Sequence, residues 1–175
     1  MGLKRERNPN RLKNFDYFRS GYYFVTICAK YLKNDFGNIE NDKMILNGYG
    51  KIVKKYWTEI PNHYKNYKLD EFIIMPNHIH GILIIENDNC KITAGTEQCS
   101  VPTVKIPQII KSFKAICTKT IRNNFDDYTF KWQRSFYDHI IRAEKFLNNI
   151  RQYIINNPLK WEIDENNPQN SAKPC

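Results

Sequence analysis

Two of the chain's four histidines, His78 and His80, stand one residue apart within a β-branched run from Ile73 to Ile85. Because side chains alternate between the two faces of a strand, this spacing predicts that both imidazoles project to the same side of a sheet. Neutral imidazole binds Zn, Mn, Fe, Cu or Ni, so the pair is half of a metal site and does not name its metal. The alternative is two hydrogen-bonded imidazoles beside a core.

The last predicted helix, from about Ala143 to Asn157, offers a nucleophile and a third ligand. Tyr153 and Asn157 are four residues apart and therefore share one helix face. If that face overlies the histidine strand, a metal held by His78, His80 and Asn157 would act as a Lewis acid on a phosphodiester, and Tyr153 would attack phosphorus. A phenol has a pKa of about 10, so the metal or neighbouring cations must favour its anion.

Other residues compete for these roles. Tyr137 is the rival nucleophile, because it lies in the aromatic stretch from Trp132 to His139. If His63 or His139 completed the ligand set, the chain would instead be a small zinc hydrolase. His139 is equally compatible with orienting the site and with a structural hydrogen bond to the backbone.

The composition favours one globular domain with a polyanionic partner. A chain of 175 residues, 41% of them hydrophobic, suits a single compact α+β domain. The formal net charge of +9 favours nucleic acid first and an anionic membrane surface second. No apolar run approaches the roughly 20 residues of a spanning helix, so we expect no membrane partner. Five cysteines without a CxxC pair argue against disulfides and a cysteine zinc site, and favour a reducing cytoplasm.

The first half of the chain predicts an arm, a helix and three strands. Residues 1–20 are expected to form a basic N-terminal arm, and residues 22–28 an inner strand. A helix with an apolar face follows over about 52–60 and ends near Pro61. Strands over 69–75 and 78–86 are joined by a tight turn, and are therefore expected to lie adjacent and antiparallel.

The second half predicts two helices and a further strand. Residues 87–104 lack periodicity and indicate a long flexible loop. A sustained apolar stripe over 106–121 predicts a long helix, and a fourth strand is expected within 130–142. The last helix is predicted to bury Phe146, Leu147, Ile150 and Ile154, to end at Pro158, and to be followed by a polar tail over 162–175. This order favours an α+β ferredoxin-like sandwich, with helices packed on a central antiparallel sheet of four to five strands.

Two blocks of the sequence resemble a known family. Met75-Pro76-Asn77-His78-Ile79-His80 is similar to the His-hydrophobic-His motif of the HUH single-tyrosine transposases. The stretches over 132–142 and 150–161 resemble the C-terminal signature of the REP-associated tyrosine transposase branch. The similarity covers roughly residues 22–161, so we interpret residues 21–161 as a single-tyrosine HUH transposase domain.

The resemblance implies that Tyr153 is the nucleophile, that His78 and His80 are the metal pair, and that Asn157 is the polar third ligand. It implies an endonuclease and strand transferase that cleaves single-stranded DNA next to a hairpin of the REP or inverted-repeat type. The family forms a 5′-phosphotyrosine intermediate and uses Mg²⁺ or Mn²⁺ without ATP. Its members include monomers and dimers, so a homodimer is left open, and a nucleoid-associated location in the cytoplasm is expected. The alternative function is a catalytically silent module of the same fold that binds hairpin DNA or RNA.

The basic surface then has a role, because single-stranded DNA is held by cations along its backbone and by aromatic side chains on which bases stack. The residues expected to make such contacts are Lys111, Lys114, Lys119, Trp132, Arg134 and Arg142.

Overall fold

A computed structural model describes residues 20–86, 90–93, 96–99 and 104–170, with only the backbone described for 90–93 and 96–99. The strands of this part of the chain are β1 (Gly21–Cys28), β2 (Gly37–Glu40), β3 (Lys43–Leu46), β4 (Tyr67–Ile74), β5 (His78–Ile85), β6 (Cys90–Thr93), β7 (Thr96–Cys99) and β8 (Tyr137–Ile141). Its α-helices are α1 (Gly48–Thr58), α2 (Ile60–His63), α3 (Ile106–Phe125) and α4 (Glu144–Ile155).

Four strands make the main sheet, in the order β4-β5-β1-β8, and every neighbouring pair is antiparallel. The chain runs through this sheet as β1, α1, β4, β5, α3 and β8, so that β5 lies between β4 and β1. This is the split βαβ arrangement of a ferredoxin-like sandwich. The predicted α+β class, the inner position of β1 and the antiparallel β4-β5 pair are all confirmed.

Alternation along β5 decides which helices its side chains meet. Ile79, Leu83 and Ile85 belong to the larger core, which includes the buried side chains of α1 and α3. Ile82 instead packs with Leu147 and Ile154 of α4. Since His78 and His80 share the face of Ile82, the histidine pair lies on the side of the sheet that α4 covers.

Gly81 allows α1 to approach β5 closely. A Cβ atom at this position would lie 2.4 Å from the ring of Trp57 and 3.2 Å from Cβ of Phe72. No side chain fits in that space. The glycine that follows His80 therefore serves packing on the face opposite the histidines.

The helix predicted over 52–60 is present but differs at both ends. It begins earlier, because the side chain of Asn47 accepts a hydrogen bond of 2.9 Å from the amide of Gly50 and caps the first turn. It ends at Thr58, and Pro61 lies in the first turn of α2, where proline needs no hydrogen-bonded amide.

Two hairpins were not predicted. β2 and β3 pair across Asn41 and Asp42, which have positive φ angles of 48° and 59°. Such angles suit the tight turn of a two-residue hairpin. β6 pairs with β7 inside the segment predicted as a flexible loop, and the flexibility of residues 87–104 stays a prediction. Strands of four residues are too short for a clear period-two pattern.

The end of the chain differs most from prediction. Leu147 and Ile154 are buried as expected, but Phe146 is 59% exposed, so its assignment to the buried stripe was wrong. α4 ends at Ile155, which puts Asn157 just beyond the helix, and a 3-10 helix follows over Pro158–Ile163. The expected polar tail begins inside this 3-10 helix, and residues 164–170 continue as turns. The predicted arm, apart from Ser20, lies outside the described residues.

None of the helices in the described part of the chain combines the length and the apolarity that a membrane crossing requires.

Candidate active site

His78 and His80 lie next to each other at the start of β5. Strand β1 runs beside them, with Cys28 opposite His78 and Thr26 opposite His80. The two Nε2 atoms are 3.0 Å apart, and the residues are 0% and 3% exposed. The one-residue spacing therefore brings both imidazoles to one buried point.

Asn77 determines the tautomer of His78. The Asn77 amide nitrogen donates to the carbonyl of Leu32 at 2.9 Å and to that of Asn166 at 2.7 Å. Both of its hydrogens are used, so its oxygen, 2.7 Å from His78 Nδ1, accepts a hydrogen bond from that nitrogen. The proton of a neutral His78 is thus on Nδ1, and the lone pair on Nε2 points toward His80.

His80 is held in a similar way from β1. Its Nδ1 lies 2.9 Å from Thr26 Oγ1, which can accept the ring proton. Burial lowers the pKa of each histidine to about 3, so both rings are neutral at physiological pH. Neutral imidazole with a free Nε2 lone pair is the form that binds a metal. Two such lone pairs facing each other repel unless a proton or a cation lies between them.

Tyr153 of α4 reaches this pair, so the helix does lie across the histidine strand. Its hydroxyl is 3.2 Å from His80 Nε2, and its residue is 42% exposed. Burial and the negative charge of Asp164 raise the pKa of Tyr153, while its contact with the Asn157 amide lowers it. The balance keeps the phenol protonated, and its hydroxyl donates to His80.

Asp164 also comes to the histidines, which the sequence did not predict. Its carboxylate and the ligand nitrogens of His78 and His80 all lie within 4.8 Å of one another. Asp164 follows the 3-10 helix and falls in the stretch expected to be a polar tail. No spacing rule could have found it, because its distance along the chain from the histidines reflects only how the last segment folds back.

Asn157 is 1% exposed, and its Oδ1 has no hydrogen-bond donor among the described residues. A buried amide oxygen without a partner is costly, typically about 1–3 kcal/mol. A bound cation would remove that cost. The two imidazoles and the carboxylate that lie together are donors that suit a divalent metal.

Two aromatic rings flank the histidine pair. Phe24 stacks on His80 with ring centroids 5.3 Å apart, and Trp161 lies 6.1 Å from the ring of His78. The open side is a cavity of about 350 Å³ whose walls include His80, Tyr153 and Tyr137. Tyr137 thus shares the cavity, but the hydroxyl that contacts His80 is that of Tyr153.

Arg151 attaches α4 to the edge of the sheet two residues before Tyr153. Its guanidinium bonds both carboxylate oxygens of Asp70, with Nε 2.9 Å from Oδ1. Asp70 lies where β4 bulges between Leu69 and Phe72. These hydrogen bonds lower the pKa of Asp70, so the pair stays ionised and holds the helix in place.

The predicted DNA contacts occupy different parts of the surface. Lys114, Lys119 and Trp132 line one groove beside α3. Lys111, Arg134 and Arg142 are exposed on α3, before β8 and after β8, respectively. His63 and His139 are exposed and stand apart from the His78-His80-Asp164 group of the described residues.

Comparisons with known proteins agree with the family resemblance, although no family model matches the chain. An uncharacterized protein of Haemophilus influenzae is 41% identical over 166 residues, covering 91% of this chain and 92% of its own. A second protein of that organism, provisionally named a REP-associated tyrosine transposase, is 26% identical over 146 residues, covering 83% and 74%.

A solved structure of a REP-associated tyrosine transposase bound to a REP hairpin has the same fold. It matches with a TM-score of 0.52 and 17% identity, over 86% of this chain and 73% of that chain. The present chain thus belongs to one family with its 41% identical Haemophilus relative, and is a relative of the REP-associated tyrosine transposases.

Proposed function

We propose that this protein is a transposase that cuts and rejoins single-stranded DNA next to hairpins through a 5′-phosphotyrosine at Tyr153. One observation carries the proposal: the Tyr153 hydroxyl is 3.2 Å from His80 Nε2, which is 3.0 Å from His78 Nε2. A phenol and a candidate metal site thus meet in one cavity. The hairpin bound by the structural relative supports DNA as the substrate.

The residues that would hold the metal are His78, His80, Asn157 and Asp164. Asn157 is the ligand that the resemblance implies, and Asp164 adds a carboxylate. When bound, Mg²⁺ or Mn²⁺ supplies Lewis acidity toward the scissile phosphate. Of the two, Mn²⁺ suits nitrogen ligands better, because Mg²⁺ strongly prefers oxygen.

Tyr153 performs the covalent step. Its phenolic oxygen bonds to phosphorus as the bond from phosphorus to the 3′ oxygen breaks. The phenolic proton leaves to solvent on the open side of the cavity, and the 3′ oxygen takes up a proton to become a 3′-hydroxyl. Rejoining reverses these steps at the phosphotyrosine. ATP is unnecessary, since the new phosphodiester retains the energy of the broken one.

The first test is whether Tyr153 forms a covalent adduct. Wild-type protein incubated with hairpin-bearing single-stranded DNA and Mn²⁺ should give a species that survives denaturing electrophoresis. Tyr153→Phe lacks the attacking oxygen and should give none, whereas Tyr137→Phe, altered on the same cavity, should keep the adduct. An undiminished adduct with Tyr153→Phe would remove that residue from the reaction.

The same experiment distinguishes the transposase from the alternative function, a catalytically silent binding module. A silent binding module would form no adduct with either metal, and its binding to the hairpin would be sensitive to salt but indifferent to a chelator.

A further inference from the structure

A groove of about 530 Å³ lies beside α3. Residues 114–123 of α3 form one wall, and the chain over 128–132 forms the other. Its lining includes Lys119, Arg122, Tyr128 and Trp132. None of the described residues that line it is acidic.

Two residues that line this groove each carry a buried donor without an acceptor. Arg122 Nε and Trp132 Nε1 are buried, and neither has a hydrogen-bond partner among the described residues. Lys119 is exposed beside them. No described lining residue is acidic, so a ligand that meets the charges of Lys119 and Arg122 must bring negative charge and oxygen acceptors, which is the chemistry of a phosphodiester.

The groove also presents an aromatic ring. Tyr128 is 66% exposed at its edge. An exposed ring next to cations is the usual surface for single-stranded nucleic acid, because bases stack on the ring while phosphates meet the cations. A small anion would make no use of Tyr128.

Hydrogen bonds connect the wall of the groove to the wall of the active-site cavity. Lys114 Nζ donates to the carbonyls of Gln133 at 2.9 Å and Ser135 at 3.1 Å, and both of those residues line the cavity. Lys114 therefore fixes the short segment that separates the two spaces. Arg134, exposed on that segment, offers a cation between them.

We propose that this groove is a second DNA subsite, which binds the single-stranded flank of the scissile phosphate. A backbone phosphate would pair with the Lys119 ammonium and the Arg122 guanidinium, and a base would stack on Tyr128. The strand would reach Tyr153 by crossing Arg134. The choice of DNA as occupant rests on the proposed function.

The test is the binding of fluorescein-labelled dT20 to the full chain in EDTA, followed by anisotropy at several salt concentrations. Lys119→Ala/Arg122→Ala should weaken binding about tenfold and flatten the salt dependence by about 1.4 in log–log slope, as expected for two lost phosphate contacts. Lys51→Ala/Lys65→Ala removes the same charge from exposed positions outside the groove, and should change the affinity less than about twofold.

A second variant examines stacking without a change of charge. Tyr128→Leu should weaken dT20 binding about tenfold and leave the salt slope unchanged, since no phosphate contact is lost. Thermal melting of each variant establishes that it is folded. Equal binding by the groove variants and the Lys51/Lys65 control would overturn the subsite, and so would a wild-type protein that does not bind dT20.

Adduct formation separates this proposal from the proposed function. If wild-type protein forms no adduct but the groove variants lose dT20 binding, the subsite stands and the transposase activity fails. If Tyr153 forms the adduct and the groove variants bind like the control, the activity stands and the subsite fails.

Discussion

Asp164 disfavours the ionised form of Tyr153 when no metal is bound. The carboxylate raises the pKa of the phenol, as burial does, so both hold Tyr153 in its poorly nucleophilic protonated form. A divalent cation between the histidines and Asp164 would reverse the sign of the local charge. The same residues therefore disfavour the phenolate without metal and favour it with metal.

Replacing Asp164 by Asn should weaken Mn²⁺ binding by about 10–100-fold, because the amide keeps the shape of the side chain and removes its charge. Isothermal titration with Mn²⁺ measures the loss. Glu162→Gln, which neutralises an exposed carboxylate on the neighbouring 3-10 helix, is the matched control and should bind like wild type. Unchanged affinity in Asp164→Asn would leave the metal to the histidines and Asn157 alone.

At the scale of elements, the position of α4 decides whether the phenol reaches the histidines. Leu147 and Ile154 bury one side of the helix against Ile82 and its neighbours. Those contacts alone permit some sliding, because apolar packing has little directional preference. The two-point bond between Arg151 and Asp70 supplies direction, since the planar guanidinium must match the carboxylate.

Asp70→Asn should lower the free energy of unfolding by about 1 kcal/mol at pH 7, a value suited to a partly exposed pair. Arg151 lowers the pKa of folded Asp70, so the stabilisation is fully present above the ordinary carboxyl pKa of about 4 and is lost as pH falls through the lower folded value. Urea unfolding at pH 7, 5 and 3 should show the two proteins converging in acid. Glu71→Gln, an exposed neighbour, controls for charge. A gap that persists unchanged in acid would contradict the assignment.

Across the whole molecule, Asn77 ties together segments that are far apart in sequence. It bonds the carbonyl of Leu32 after β1, the carbonyl of Asn166 near the end of the described chain, and the ring of His78. One buried side chain therefore links the segment after the first strand, the histidine pair and the closing turns that carry Asp164.

Asn77→Ala should destabilise the protein by about 3 kcal/mol, because it leaves two carbonyls and the His78 ring nitrogen without partners. Chemical denaturation measures this loss. Mn²⁺ affinity should fall as well, since the orientation of His78 and the position of Asp164 both depend on Asn77. Asn62→Ala, at an exposed position of α2, should change neither quantity. A stable Asn77→Ala protein with normal Mn²⁺ affinity would show that the link is dispensable.

Patterns of short period could be read from the sequence. The alternation around His78 and His80 predicted their shared face, and the apolar stripes predicted α3 and most of α4. These predictions succeed because the period of a strand or helix depends on local backbone geometry. The predicted burial of Phe146 was wrong. An apolar side chain at the margin of a helix stripe is buried only if a neighbouring element covers it, and the sequence does not show which element that is.

The sequence by itself determined the order along the chain of the four main-sheet strands and the helices between them, the paired histidines and the tyrosine on the last helix. Tertiary structure alone decided that Thr26 and Asn77 orient the imidazoles, that Asp164 joins them, and that Arg122 and Trp132 line one groove. The physical reason is that these contacts join residues far apart in the chain. They follow from how whole elements pack, and no local spacing encodes that packing.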